Sequence, residues 1–96
     1  MSLSKCNSNS DTRTYWVIFQ PYLYDYPYGA YVQDGNYKYG GEDYKVLTEN
    51  LNNAKLYSSY TWAYKAANRF TDKFVNFDSD YDILEVEVRN GIVTLC

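Results

Sequence analysis

The chain has 96 residues, a net charge of −3, and 13 tyrosines but no histidine. That length suits one domain with a marginal core, and the acidic balance gives no general attraction to nucleic acid or anionic lipid. Without histidine the commonest general base, the commonest zinc ligand and every Ser-His or Cys-His dyad are excluded.

Residues 1–13 (MSLSKCNSNSDTR) are polar and aperiodic. They are expected to form a disordered tail without the apolar stretch of a secretory signal, leaving 14–96 as the domain. No apolar run approaches the about 20 residues that span a bilayer. The two cysteines, Cys6 and Cys96, fall in that tail and at the last residue. A disulfide framework places cysteines inside the ordered body, so the pattern argues for a reducing cytoplasm.

Thr14–Gln20 (TYWVIFQ) is apolar on both alternating sets, Tyr15, Val17 and Phe19 against Trp16 and Ile18, which predicts a central strand covered on both faces. Pro21 ends it. Then comes Tyr22-Leu23-Tyr24-Asp25-Tyr26-Pro27-Tyr28, with tyrosine at every second position. In an extended segment all four rings would line one side of the backbone. A phenol is a large rigid apolar surface with one hydrogen-bonding tip, enriched where proteins meet. Tyr22, Tyr24, Tyr26 and Tyr28, with Tyr31 just beyond, are therefore the candidate partner-binding residues. A covered sheet face and a self-association edge giving a homo-oligomer are the alternatives.

Asp34-Gly35 is a two-residue hairpin signal. Placing the turn there gathers Ala30, Val32, Tyr37 and Tyr39 on one face, and Tyr31, Gln33, Asn36 and Lys38 on the other. Gly40-Gly41 would then break the strand, Tyr44–Thr48 could form another, Asn50–Asn53 reads as a connector, and Ala54–Tyr57 as a short strand. Ser59 is placed to cap a helix over about 60–70. Tyr60, Ala63, Tyr64, Ala67 and Phe70 fall on one stripe of it, and its three alanines permit close approach to a sheet. A second hairpin closes the chain around Asn90-Gly91, pairing Val88 with Val93 and Val86 with Leu95. Leu84, Val86 and Val88 then face inward, with Glu85 and Glu87 toward water. The predicted class is α+β: a small antiparallel sheet of about five or six strands with a single helix packed on one face.

The phrase NAKLYSSYTWAYKAANRF and the closing YDILEVEV resemble the short accessory proteins encoded by phages and prophages of Gram-positive bacteria. The residues carrying the resemblance are Ala54-Lys55-Leu56-Tyr57, Ser59, the helix alanines and the alternating Ile83–Val88 strand, over roughly residues 14–88. It implies no catalytic or ligand-binding residues. The tyrosine segment 22–28 departs from the compact first hairpin of such proteins.

Three motifs bear on chemistry. Asp78-Ser79-Asp80-Tyr81-Asp82 opens like a calcium loop, but that loop needs glycine at its sixth position and glutamate at its twelfth, where Ile83 and Arg89 stand. Residues 72–87 hold six carboxylates and one lysine, so Asp78, Asp80, Asp82, Glu85 and Glu87 form a candidate acidic flank that could steer a basic partner. Tyr28–Gln33 matches part of an RNA-stacking sheet motif without its leading basic residue. No metal constellation, phosphate loop or nucleophile-base pair is found. The sequence is thus read as a non-enzymatic protein-interaction module without cofactor. The alternative is a small ligand-binding module that stacks carbohydrate or single-stranded nucleic acid on tyrosine.

Overall fold

The computed structural model describes residues 12–96. The tail expected at 1–13 lies outside them except for Thr12 and Arg13, and Arg13 already belongs to a strand. Five strands form one antiparallel sheet in the order β3-β2-β1-β4-β5. They are β1 Arg13–Gln20, β2 Ala30–Tyr39, β3 Glu42–Thr48, β4 Asp82–Arg89 and β5 Ile92–Leu95. One α-helix among the described residues, α1 Tyr60–Lys73, packs on one face. This is the predicted α+β class.

β1 is central because both of its faces are apolar. Val17 and Ile18 are fully buried, and they belong to two different clusters. Ile18 packs with Val32, Phe74, Phe77 and the helix alanines Ala63, Ala66 and Ala67. Val17 packs on the opposite face with Val86, Val93 and Ala54, flanked by Tyr15, Tyr31 and Leu84. β1 pairs with β4 along its length, from Arg13 opposite Val88 to Phe19 opposite Asp82.

The closing hairpin has the expected register, Val86 opposite Leu95 and Val88 opposite Val93, around Asn90 and Gly91 at positive φ. Ser59 caps α1 as expected, its Oγ accepting the Trp62 N–H at 3.1 Å. The helix runs on to Lys73, because no breaker interrupts Phe70–Lys73 and Phe74 turns extended and buries its ring. The helix face is narrower than expected. Ala63, Ala66 and Ala67 are buried, whereas Tyr60 and Tyr64 stand at its rim, exposed. Alanines let the helix settle close to the sheet, and larger side chains on either side are pushed outward.

The first hairpin differs from expectation. β2 runs straight through Asp34-Gly35 and turns at Gly40-Gly41, both at positive φ, which suits a two-residue hairpin turn. Asp34-Gly35 lies instead in a bulge: Val32 pairs with Leu47 but Asn36 with Lys45, so β2 carries extra residues between them. Two glycine-bearing turn signals competed, and the pairing of Tyr31 with Thr48 selects the outer one.

Ala54–Tyr57 is not a strand but a crossing. After β3 the chain passes over the face opposite the helix, where Leu51, Ala54 and Leu56 pack on the second cluster. It then slips between β1 and β2, which pair only at Phe19–Tyr31 and Gln20–Ala30 before parting. In the gap Lys55 N–H donates to Val32 C=O at 2.8 Å, and Tyr57 exchanges backbone bonds with Trp16 at 2.8 and 2.9 Å. Tyr57 emerges among the first cluster, beneath the helix start.

Cys96 is disulfide-bonded, and the chain's other cysteine, Cys6, lies outside the described residues. The terminal cysteines therefore do not support a reducing compartment, because the terminal thiol is not free. No helix among the described residues is long and apolar enough to cross a membrane.

Candidate functional site

The tyrosine segment is a tight loop, not a strand. Leu23 and Tyr26 exchange backbone hydrogen bonds at 3.0 and 3.1 Å, and Gly29 N–H donates to Tyr26 C=O at 2.8 Å. Closing the backbone on itself undoes the alternation that would have aligned four rings. Leu23 and Tyr26 tuck in, while Tyr22, Tyr24 and Tyr28 stand out at 72%, 97% and 90% exposure. The loop is tied down at its far end by Gly29 (φ +93), where an added Cβ would lie 2.3 Å from the Phe19 ring and 2.7 Å from Gln20 C=O. Tyr31 leaves the group: it sits in β2 on the second cluster, its ring 5.0 Å from that of Phe19.

Beside the loop lies a hollow of about 480 Å³, walled by Leu23, Tyr24 and Tyr26 on one side and Val75, Asn76 and Phe77 on the other. A second hollow of about 470 Å³ shares Thr71 and Ser79 with the first and runs between α1 and the start of β4. Its aromatic wall is Tyr60, Tyr64 and Tyr81. The Tyr60 and Tyr64 rings are nearly parallel at 6.3 Å, and Tyr64 and Tyr81 are 6.5 Å apart. Polar groups converge there: Tyr81 O–H donates to Asn68 Oδ1 at 2.8 Å, with Ser79 and Asp82 at the edge. Burial pushes the Tyr81 phenol above its ordinary pKa, and the neighbouring phenols of Tyr64 and Tyr60 push the same way.

The sequence pattern does not single out this second wall, because Tyr60 and Tyr64 share one helical stripe with Ala63 and Ala67. The triplet Ala63, Ala66, Ala67 is the signal for the narrower buried face.

The acidic residues differ in their surroundings. Asp78 and Asp80 belong to the turn before β4, where Asp78 Oδ1 accepts the Asp80 N–H at 3.2 Å. Asp82 is exposed opposite Phe19. Glu85 and Glu87 are half-buried rather than turned to water. They alternate with Leu84, Val86 and Val88 and so share the face of Ile83, which packs with the helix-side cluster. Among the described residues no group of His, Cys, Asp or Glu could hold a metal ion.

Lys45 is the buried cation. Its Nζ donates to Gly35 C=O at 2.8 Å and lies 5.0 Å from the Phe70 ring centre and 5.8 Å from that of Phe74. Burial holds its pKa below the ordinary lysine value; Asp34 opposes this shift, and Lys55 and Lys73 add to it. It thus links the bulge at Gly35 to the Phe70 and Phe74 rings. Comparison with known protein families, curated proteins and solved structures found no match.

Proposed function

We propose that this protein is a non-enzymatic interaction module that holds a protein partner with the 22–28 loop and the hollow beside it. The observation that carries the reading is the exposure of Tyr22, Tyr24 and Tyr28 on a loop whose own backbone is closed by hydrogen bonds. Rings presented on a fixed backbone lose little freedom on binding, and tyrosine gives large contact area with few rotatable bonds. The resemblance of roughly residues 14–88 to phage and prophage accessory proteins fits such a role, in which a small protein acts by occupying another. A cytoplasmic setting, expected from the cysteines, loses its support at Cys96, because disulfides persist mainly in oxidising surroundings.

Affinity capture from a bacterial lysate tests this, comparing wild type with Tyr22→Ala/Tyr24→Ala/Tyr28→Ala. The triple variant keeps its fold by circular dichroism and loses the captured protein. Retention of the same protein by the triple variant overturns the reading.

A second reading rests on a different observation, the hollow between Tyr60, Tyr64 and Tyr81 with Asn68 and Asp82 at hand. Aromatic walls with a few converging polar groups suit a sugar or a single-stranded oligonucleotide. Binding of such a ligand that disappears in Tyr64→Ala, but survives in the triple loop variant, would favour this reading over the first.

A further inference from the structure

The sheet covers parts of its two outer edges and leaves one inner edge open. On β3, Val75 N–H donates to Asp43 C=O at 3.0 Å, and the Asn76 side-chain amide takes both backbone groups of Lys45 at 2.8 and 2.9 Å. On β5, Val93 N–H donates to Asn52 Oδ1 at 2.8 Å. β2 has no such cover beyond Val32. β1 parts from it after Tyr31, and the last backbone bond on that side is the one from Lys55 to Val32. Among the described residues no strand lies beside Gly35–Tyr39 on the side away from β3, and every residue from Asp34 to Glu42 is exposed.

The register fixes which groups face this edge. Lys45 directs its backbone N–H and C=O to Asn76, away from β2, so Lys45 and Asn36 form a non-hydrogen-bonded pair. Asn36 therefore points its own N–H and C=O out of the opposite side of β2, and Lys38, two residues on, does the same. Tyr37 between them is in the hydrogen-bonded pair with Tyr44, its ring stacked on that of Tyr44 at 5.3 Å.

We propose that two copies of this chain join antiparallel through this edge of β2, with the twofold axis at Tyr37. Asn36 of each copy then faces Lys38 of the other, and each such pair exchanges both its backbone bonds. Tyr37 meets the partner's Tyr37 at the closely spaced position of the ladder, and Tyr39 falls opposite the partner's Gly35.

A second copy fits better than a foreign strand because the outward pattern reads the same in both directions about Tyr37. Such an edge is complementary to itself, which is the requirement of a twofold contact. Charge agrees: Lys38 meets an uncharged asparagine rather than another lysine, and its own charge is already paired with Asp43 at 3.1 Å. The contact also covers the rings of Tyr37 and Tyr39, which are 50% and 75% exposed. The inference draws nothing from the 22–28 loop and stands or falls apart from it.

Sedimentation over a dilution series, with three variants, tests the proposal. Wild type should move with concentration from the 11.3 kDa monomer toward twice that mass. Lys38→Pro removes an outward N–H that β3 does not use, and should weaken association at least about tenfold. Under oxidising conditions Tyr37→Cys should form a 37-to-37 cross-link, mapped by peptide mass, whereas Tyr39→Cys should form none with itself. If Lys38→Pro fails to fold, the two cysteine variants decide. A monomer at every concentration without the Tyr37→Cys cross-link overturns the proposal. So does a dimer indifferent to Lys38→Pro and lacking that cross-link, or a monomer whose Asn36 and Lys38 amides gain exchange protection only when an unrelated extended peptide is added.

Discussion

Gln20 holds Asp78 by both ends of one side-chain amide: its Nε2 donates to Asp78 C=O and its Oε1 accepts the Asp78 N–H, each at 3.0 Å. Gln20 is fully buried at the end of β1, and Asp78 lies in the turn before β4. One polar residue thus pins the segment that walls the first hollow and leads into the second. Gln20→Leu keeps the volume but leaves two backbone groups unpaired, and should cost about 2–4 kcal/mol. Chemical denaturation measures this. A loss within experimental error of zero would mean water replaces the amide.

Gly29→Ala places a methyl against the Phe19 ring and Gln20 C=O, at a φ that L-residues rarely adopt. Strain and overpacking together predict a destabilisation on the order of 2–4 kcal/mol. Gly40→Ala, where nothing lies within 4 Å of the added Cβ, carries the strain without the clash. Thermal melts of the two variants should differ accordingly.

Within the 22–28 loop the exposed and tucked tyrosines separate. Tyr24→Ala should change stability by less than about 0.5 kcal/mol, because almost nothing is buried there. Tyr26→Ala removes a half-buried ring that lines both the first hollow and a smaller one beneath β3, and should cost about 1–2 kcal/mol. Equal melting temperatures for the two variants would contradict this account of the loop.

Alkaline behaviour follows from two phenols. Burial, aided by Asp34 and opposed by Arg69, raises Tyr57 above its ordinary value of 10.0, and burial likewise raises Tyr81. Just above pH 10.0 an unfolded chain has released protons that the folded chain still holds, so stability falls as pH rises through this window. Absorbance titration should find these two phenols ionising above pH 10.0, and Tyr57→Phe should flatten part of the fall.

Lys45 acts with the opposite sign. Its folded pKa lies below 10.5 because burial disfavours the charge. The penalty is complete at neutral pH and is relieved as pH climbs through the lowered value toward 10.5. Lys45→Met should abolish this rise while changing neutral stability by no more than about 1 kcal/mol, since Gly35 is exposed and water can satisfy its carbonyl. The difference between wild-type and variant stability, followed against pH, isolates it from the phenols.

Local chemistry was enough for the sheet-and-helix class, the β1 strand buried on both faces, the Ser59 cap and the register around Asn90-Gly91. Each depends on neighbours a few residues apart: an alternation, a hydroxyl three residues before an amide, a turn that tolerates only certain residues. What the tertiary structure alone decided is of another kind. Asp34-Gly35 and Gly40-Gly41 are both acceptable turns, and only the long-range pairing of β2 with β3 chooses between them. The alternation of Tyr22, Tyr24, Tyr26 and Tyr28 speaks of a shared face only for an extended backbone, and the bonds between Leu23 and Tyr26 fold that backbone over. Gln20 and Asn76 gain their importance from partners 58 and 31 residues away, a separation at which no periodicity in the chain carries information.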